Sequence, residues 1–350
     1  MTSPDYSPLD GALEQLDLAG PELRNGNSNH APMAIEALCA LGRPQAVQPW
    51  LDSYRDQLMP RPAHVAPIAA DAWASALGDA RRVGDWFEHF HAELNQRPWA
   101  AVLDEWVARL APGIVAAAMH GVIRTGHAVR ALAREDTPLR RRELADGLAY
   151  WAAEYLALPA GGRAAHPGLP SQAIGSIAMI PPAERVNFGS LSGALGQLDT
   201  FEPFRAAFGA VATDGDPHVF LADLTATFAR VYLGNANDFL TTIAFVHTVT
   251  GPASLRPMLP YLRADTGRAA LAYAWQASAA LLATFGSRTV LPQVGERTPD
   301  PDVLVARAIA SGDEHAIKFT ATCLGEHAIS RDPAFLQAAD HAIVALASAS

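Results

Sequence analysis

Apolar positions recur every three or four residues through most of the chain, and almost nowhere alternate between adjacent residues. That spacing predicts helices over 31–42, 44–58, 71–78, 84–95, 99–111, 112–134, 139–158, 184–210, 218–250, 266–285, 301–311 and 333–348, with one more carrying His315 and Lys318. Turn chemistry marks several starts. The polar run from Asn25 to His30 supplies N-caps for the first of these helices, which has Pro32 in its first turn and Gly42 at its end. Ser311 to Asp313 cap the helix of His315. Trp86, Phe87, Phe90, Trp99, Leu103, Trp106 and Leu110 fall at helical spacing and read as core packing. The expected fold class is all-α: one large multi-helix domain over residues 1–350, built of helical hairpins around a buried His-rich site. The run of Pro and Gly over 159–180 is the place for a sub-domain break or a lid-like connection.

Two stretches conflict with this pattern. His120-Gly121-Val122-Ile123-Arg124-Thr125-Gly126-His127 puts two His, an Arg and two Gly into an otherwise apolar helix. Each mid-helix Gly costs ~1 kcal/mol against Ala. Such departures are expected where close packing or function overrides local preference. His247 likewise follows an apolar run and precedes Gly251-Pro252, which ends or kinks its helix.

Composition narrows the function classes. The net charge is −10 with Arg scattered along the chain, which argues against a nucleic-acid binder. Half the residues are apolar, yet every long apolar run is broken by His, Arg or Pro before a membrane-spanning length, so no membrane partner is expected. Cys39 and Cys323 lie far apart and read as reduced core thiols; no signal-peptide pattern opens the chain, so a cytoplasmic protein is expected. Oligomeric state is not readable. The chemistry lies in the His and Lys. A single lysine, Lys318, stands among 26 basic Lys and Arg side chains. Lys can lose its proton when buried, and then serve as nucleophile or as carbamate ligand; Arg cannot.

Of the 12 His, His64, His89, His91, His166 and His218 sit in polar surroundings and are expected to face solvent. His327 and His341 have no partner at ligand spacing. His30, His120, His127, His247 and His315 each lie in or at the end of an apolar helix. Burying five imidazoles is unfavourable unless each finds a partner, and a metal is a common reason to gather them. HExxH, paired ExxH, GxSxG and GxGxxG are all absent. A His-rich set with few carboxylates suits Fe, Cu, Ni or Zn.

In their order along the chain, four pieces carry a family resemblance: Asn29-His30-Ala31-Pro32-Met33, His120 to Ala128, His247-Thr248-Val249-Thr250-Gly251 and Asp313-Glu314-His315-Ala316-Ile317-Lys318. With them the chain resembles the questin oxidase-like family, whose named members act in fungal anthraquinone and aflatoxin-type polyketide pathways. The resemblance implies oxidative opening of polycyclic quinones with O2, by Baeyer–Villiger-type or dioxygenase chemistry. It also implies non-haem iron held by four His and a lysine carboxylated by CO2, here Lys318. Candidate ligands are four of His30, His120, His127, His247 and His315. On an unbroken helix His120 and His127 stand ~10.5 Å apart along the axis, so one of the pair is expected off the metal, and His127 is assigned to catalysis with Arg124. Arg124 is placed to meet a quinone oxygen, a phenolate or superoxide, or else forms a structural ion pair. Asn29 either orients the His30 ring or caps the helix.

Two other classes remain open at this point. One is an NADPH-assisted Baeyer–Villiger-type oxidoreductase without bound metal, in which the His do acid–base work on a quinone; NADPH is also a candidate external reductant for the iron enzyme. The other is a non-catalytic helical binding protein with dispersed His.

Overall fold

The computed structural model describes residues 3–162, 164–186, 189–295 and 298–347. Positions 163, 187–188, 296–297 and 348, which fall within predicted loops and helices, lie outside the described residues. The protein is all-α apart from one two-stranded sheet among the described residues, antiparallel β1 (Ala19–Leu23) and β2 (Leu58–Pro60). The helices are α1 (Leu9–Gln15), α2 (Ala31–Ala40), α3 (Val47–Tyr54), α4 (Val83–Gln96), α5 (Trp99–Leu110), α6 (His120–Leu132), α7 (Pro138–Ala153), the short α8 (Pro170–Ala173) and α9 (Leu191–Leu195), α10 (Pro217–Asn235), α11 (Phe239–Ala253), α12 (Ala264–Phe285), α13 (Pro301–Ser311), α14 (Glu314–Ser330) and α15 (Pro333–Ala347). None is long and apolar enough to cross a membrane.

The chain forms two compact units. The first comprises Met1–Leu156 with the short segment Pro257–Arg263; the second comprises Ala157–Arg256 and Ala264–Ser350. In the first, α6 and α7 pair most extensively, with α4 on α7 and α2 on α6. Trp86, Phe87, Phe90, Leu103, Trp106 and Leu110 are buried there, as the aromatic spacing predicts, while Trp99 is half-buried; Trp151 of α7 is fully buried beside them. Glycine permits the close approach of α6 and α7. A Cβ on Gly121 would lie 2.6 Å from the Trp151 Cα, and one on Gly147 would lie 2.9 Å from the Thr125 backbone nitrogen. The Gly beside His120 thus serves helix packing. Gly121→Ala is expected to cost about 1–3 kcal/mol through overpacking, read as a lower denaturation midpoint at unchanged helical content.

The second unit is a bundle in which α11 packs on α10, α12 and α14, and α15 covers α10 and α14. Several of its helices start on side-chain caps. Asp216, Asp238, Asp300 and Asp313 each accept from backbone N–H groups in the first turn.

Several expectations change. The helix predicted over 218–250 is two, α10 and α11, parted at 236–238, where Asp238 caps the second. The helix predicted over 184–210 is instead α9 with 3-10 turns, since its Gly and Pro interrupt the pattern. Residues 73–76 form only a 3-10 turn. Most consequentially, 112–134 is not one helix. It begins as 3-10 turns, passes through Ala117, Ala118 and Met119 with φ of 46, 54 and 72°, and becomes α6 only at His120.

Candidate metal-binding residues

Within the first unit, the packing of α2 on α6 brings His30 and His120 together. His30 is the N-cap residue of α2, and His120 is the first residue of α6. Their Nε2 atoms lie 2.6 Å apart, with the rings stacked at 4.7 Å between centroids. Both are buried, at 3% and 7% exposure. The backbone N–H of His30 donates to the Tyr54 hydroxyl. Asn29 caps: its Oδ1 accepts from the Ala31 N–H and its Nδ2 donates to the Gly20 carbonyl of β1.

The Nδ1 of His120 lies 2.5 Å from the Ala117 carbonyl oxygen. A carbonyl can only accept, so Nδ1 carries the proton and the neutral ring presents a bare Nε2 lone pair toward His30. The position of both His at helix N-termini, where the positive end of the helix dipole disfavours an imidazolium, acts in the same direction.

The second unit gathers His247, His315 and Lys318 through the contact of α11 with α14. His247 is fully enclosed, and its Nδ1 lies 2.6 Å from the Ile243 carbonyl oxygen, one turn back in α11. Its tautomer is therefore the same as that of His120. Burial, reinforced by the charge of Lys318, pushes its pKa down to about 4, so the ring is neutral at physiological pH. The His315 ring stands nearly perpendicular to it, at 5.7 Å between centroids. His315 is the second residue of α14, with its Nδ1 3.7 Å from Glu314 and 4.0 Å from Asp313. Ligand atoms of Asp313, Glu314 and His315 all lie within 4.8 Å of one another. Lys318 is 3% exposed. Burial lowers its pKa to about 8, against the opposing pull of Glu314 and Asp313.

These residues suit a transition metal. Imidazoles whose far nitrogen donates to a backbone carbonyl are the usual form of a metal-ligating His. The 2.6 Å between His30 and His120 is within a few tenths of an ångström of the ~3 Å that two imidazoles at right angles require at ~2.1 Å from one ion.

His127 and Arg124 are placed otherwise. His127 Nδ1 lies 2.6 Å from Glu36 Oε2, and Glu36 also accepts from Tyr6 and from both Nε and Nη2 of Arg130. Burial would raise the Glu36 carboxyl, but Arg130 and His127 outweigh it and hold it well below the usual range. Arg124 donates through Nε and Nη2 to Glu143, at 2.6 and 2.8 Å, and reaches Asp146 at 3.3 Å. Asp146 in turn is held by Arg61 and His91. Arg124 therefore forms the structural ion pair. His91 was expected in solvent and is instead half-buried on Asp146, because α7 carries that carboxylate inward. His89 is likewise half-buried, against Trp86, Phe90 and Trp106. His64, His166 and His218 are exposed.

Glu36 was not anticipated from the sequence. Its one signal is that it is the sole charged residue in the apolar run 31–42.

Residues 27–168 match the family model described as Questin oxidase-like. The match covers the Asn29-His30 and His120-to-Ala128 pieces of the resemblance and ends before His247, His315 and Lys318. No curated protein matches the chain.

Proposed function

We propose that the protein is a non-haem iron oxygenase that opens or oxygenates a polycyclic aromatic or quinone substrate with O2, its metal held by His30, His120, His247, His315 and Lys318. The observation that carries this reading is the shared state of His120 and His247. Each is a buried ring whose Nδ1 proton is committed to a backbone carbonyl, leaving Nε2 as a lone-pair donor. Two buried His prepared in this way are hard to account for as packing, since an apolar residue would pack as well without the polar cost.

Lys318 completes the donor set as a carbamate. The neutral amine adds to CO2, forming an N–C bond and releasing one proton, and the product carries an anionic oxygen in place of a cation. A lowered pKa is the condition for that reaction, because only the unprotonated amine has the lone pair that attacks. His and one anionic oxygen around an ion with open positions is the donor chemistry of O2-activating iron sites. Iron, when bound, supplies the one-electron chemistry through which ground-state O2 reacts with an electron-rich ring.

In this reading His127 and Arg124 serve His120 by fixing the helix that carries it. Glu36 on α2 holds His127, and Glu143 and Asp146 on α7 hold Arg124, so α6 is tied on two sides. The buried, free thiols Cys39 and Cys323 suit the reducing cytoplasm, which we propose as its location.

Purified protein is expected to contain about one iron per chain. It should also consume O2 in the presence of a hydroxylated anthraquinone. Chelation should abolish the O2 uptake, with Fe(II) restoring it. Protein that carries no iron and takes up no metal on reconstitution overturns the proposal. Activity that survives a strong chelator but requires NADPH would favour acid–base work by the His without metal.

A further inference from the structure

His120 and His247 meet the same requirement with two different backbones. His247 lies deep in α11, so the turn before it already offers a carbonyl, that of Ile243 four residues back. His120 opens α6 and is preceded by no right-handed α-helical turn. Its carbonyl comes from Ala117, three residues back, across a turn in which Ala117, Ala118 and Met119 all take left-handed conformations. None of the three is Gly. Left-handed backbone is costly for any residue with a Cβ, and three in succession are rare outside functional sites. Nothing in the local sequence favours it, since Ala and Met are good helix formers. Continuing the right-handed helix through 117–119 would have avoided the strain and would have left His120 inside a helix.

We infer that the left-handed turn Ala117–Met119 is a positioning device for His120, aiming the Ala117 carbonyl at Nδ1 so that Nε2 is held as the donor nitrogen. The inference rests on the proposed metal reading for its purpose. The hydrogen bond and the tautomer it imposes are properties of the chain alone. The turn is also why His120 and His30, each at a helix start, can face one another, so the strain sets both the tautomer of the ring and its position.

The test begins with metal-free wild-type protein labelled with 15N-His. Long-range 15N–1H correlation spectra should place the His120 proton on Nδ1 and show the unprotonated shift for Nε2. A proton on Nε2 in a folded sample overturns the inference directly, with no variant needed. Ala118→Gly keeps the left-handed conformation accessible, and should retain the tautomer and the metal affinity while raising the thermal midpoint. Ala118→Val places a β-branched residue where φ is +54°, a conformation it strongly disfavours. The inference expects the His120 tautomer to become mixed and the Co(II) or Fe(II) dissociation constant to rise about 10–100-fold. A folded Ala118→Val protein with unchanged tautomer and unchanged affinity overturns it. If His120 proves to be the Nδ1–H tautomer but wild-type protein binds no metal, the iron proposal falls and the role of the turn in fixing the tautomer stands.

Discussion

Lys318→Met should make the metal-free protein more stable while abolishing its uptake of iron. The lysine is 3% exposed and burial lowers its pKa from 10.5 to about 8. A base whose folded pKa is lowered binds its proton more tightly in the unfolded chain. The penalty is therefore complete below about pH 8 and lifts as pH rises toward 10.5. At ~1.4 kcal/mol per unit this amounts to about 3 kcal/mol. Methionine has a similar length and no charge, so the variant should gain up to about that amount at pH 7. The gain should shrink to nearly nothing by about pH 10.5. Urea titrations at pH 7 and pH 10 measure the two values. Lys318→Arg separates charge from chemistry. Arginine keeps the cation but cannot lose its proton to react with CO2, so it too should take up no iron and support no O2 consumption while the fold persists. Normal iron content or activity in Lys318→Arg would refute the carbamate.

Glu36→Gln should be among the most destabilising conservative changes in the first unit. The carboxylate is 2% exposed and accepts from Tyr6, His127 and Arg130 at once. An amide can accept on one side only and turns an N–H₂ toward groups that are themselves donors. Removing one partner of a buried ionic cluster costs about 3–5 kcal/mol. Because the folded pKa of Glu36 is depressed, its contribution is complete above its ordinary value of 4.5 and is lost as pH falls below it. The gap between wild type and variant should therefore narrow in acid. Unfolding midpoints at pH 7 and pH 3.5 decide this, and a gap that stays constant would show that the carboxylate's charge is not what α6 is held by. Iron affinity should fall along with stability, because α6 carries His120.

Much of this was legible from apolar spacing. The helices that carry the His appear where the period-3.6 pattern lies, and the caps Asp238, Asp300 and Asp313 are residues that prefer that position. The unusual content of the His120-to-His127 stretch coincides with the burial of His120, Arg124 and His127 on α6. What could not be read there was the break before it. Ala116-Ala117-Ala118-Met119 is as helix-favouring as any tetrapeptide in the chain, and nothing in its residue types announces the left-handed backbone it adopts. Partner choice was equally hidden. Arg124 and His127 carry no mark of which carboxylate they meet, because Glu143 lies 19 positions from Arg124 and Glu36 lies 91 positions from His127 in a chain whose helices must pack first.

The segment Pro257–Arg263 has a consequence for how the protein can be taken apart. It belongs to the first unit, where Tyr261 packs on Trp99 at 4.5 Å and the Arg263 backbone N–H donates to Asp104. A gene fragment ending after residue 156, or at 168 where the family match stops, would therefore yield a first unit with α5 stripped of its cover. The chain enters that unit twice, so no single cut yields two whole modules. Recombination that exchanged one half for a homologous half would have to carry a seven-residue piece from the middle of the other, which ties the inheritance of the two His sets together.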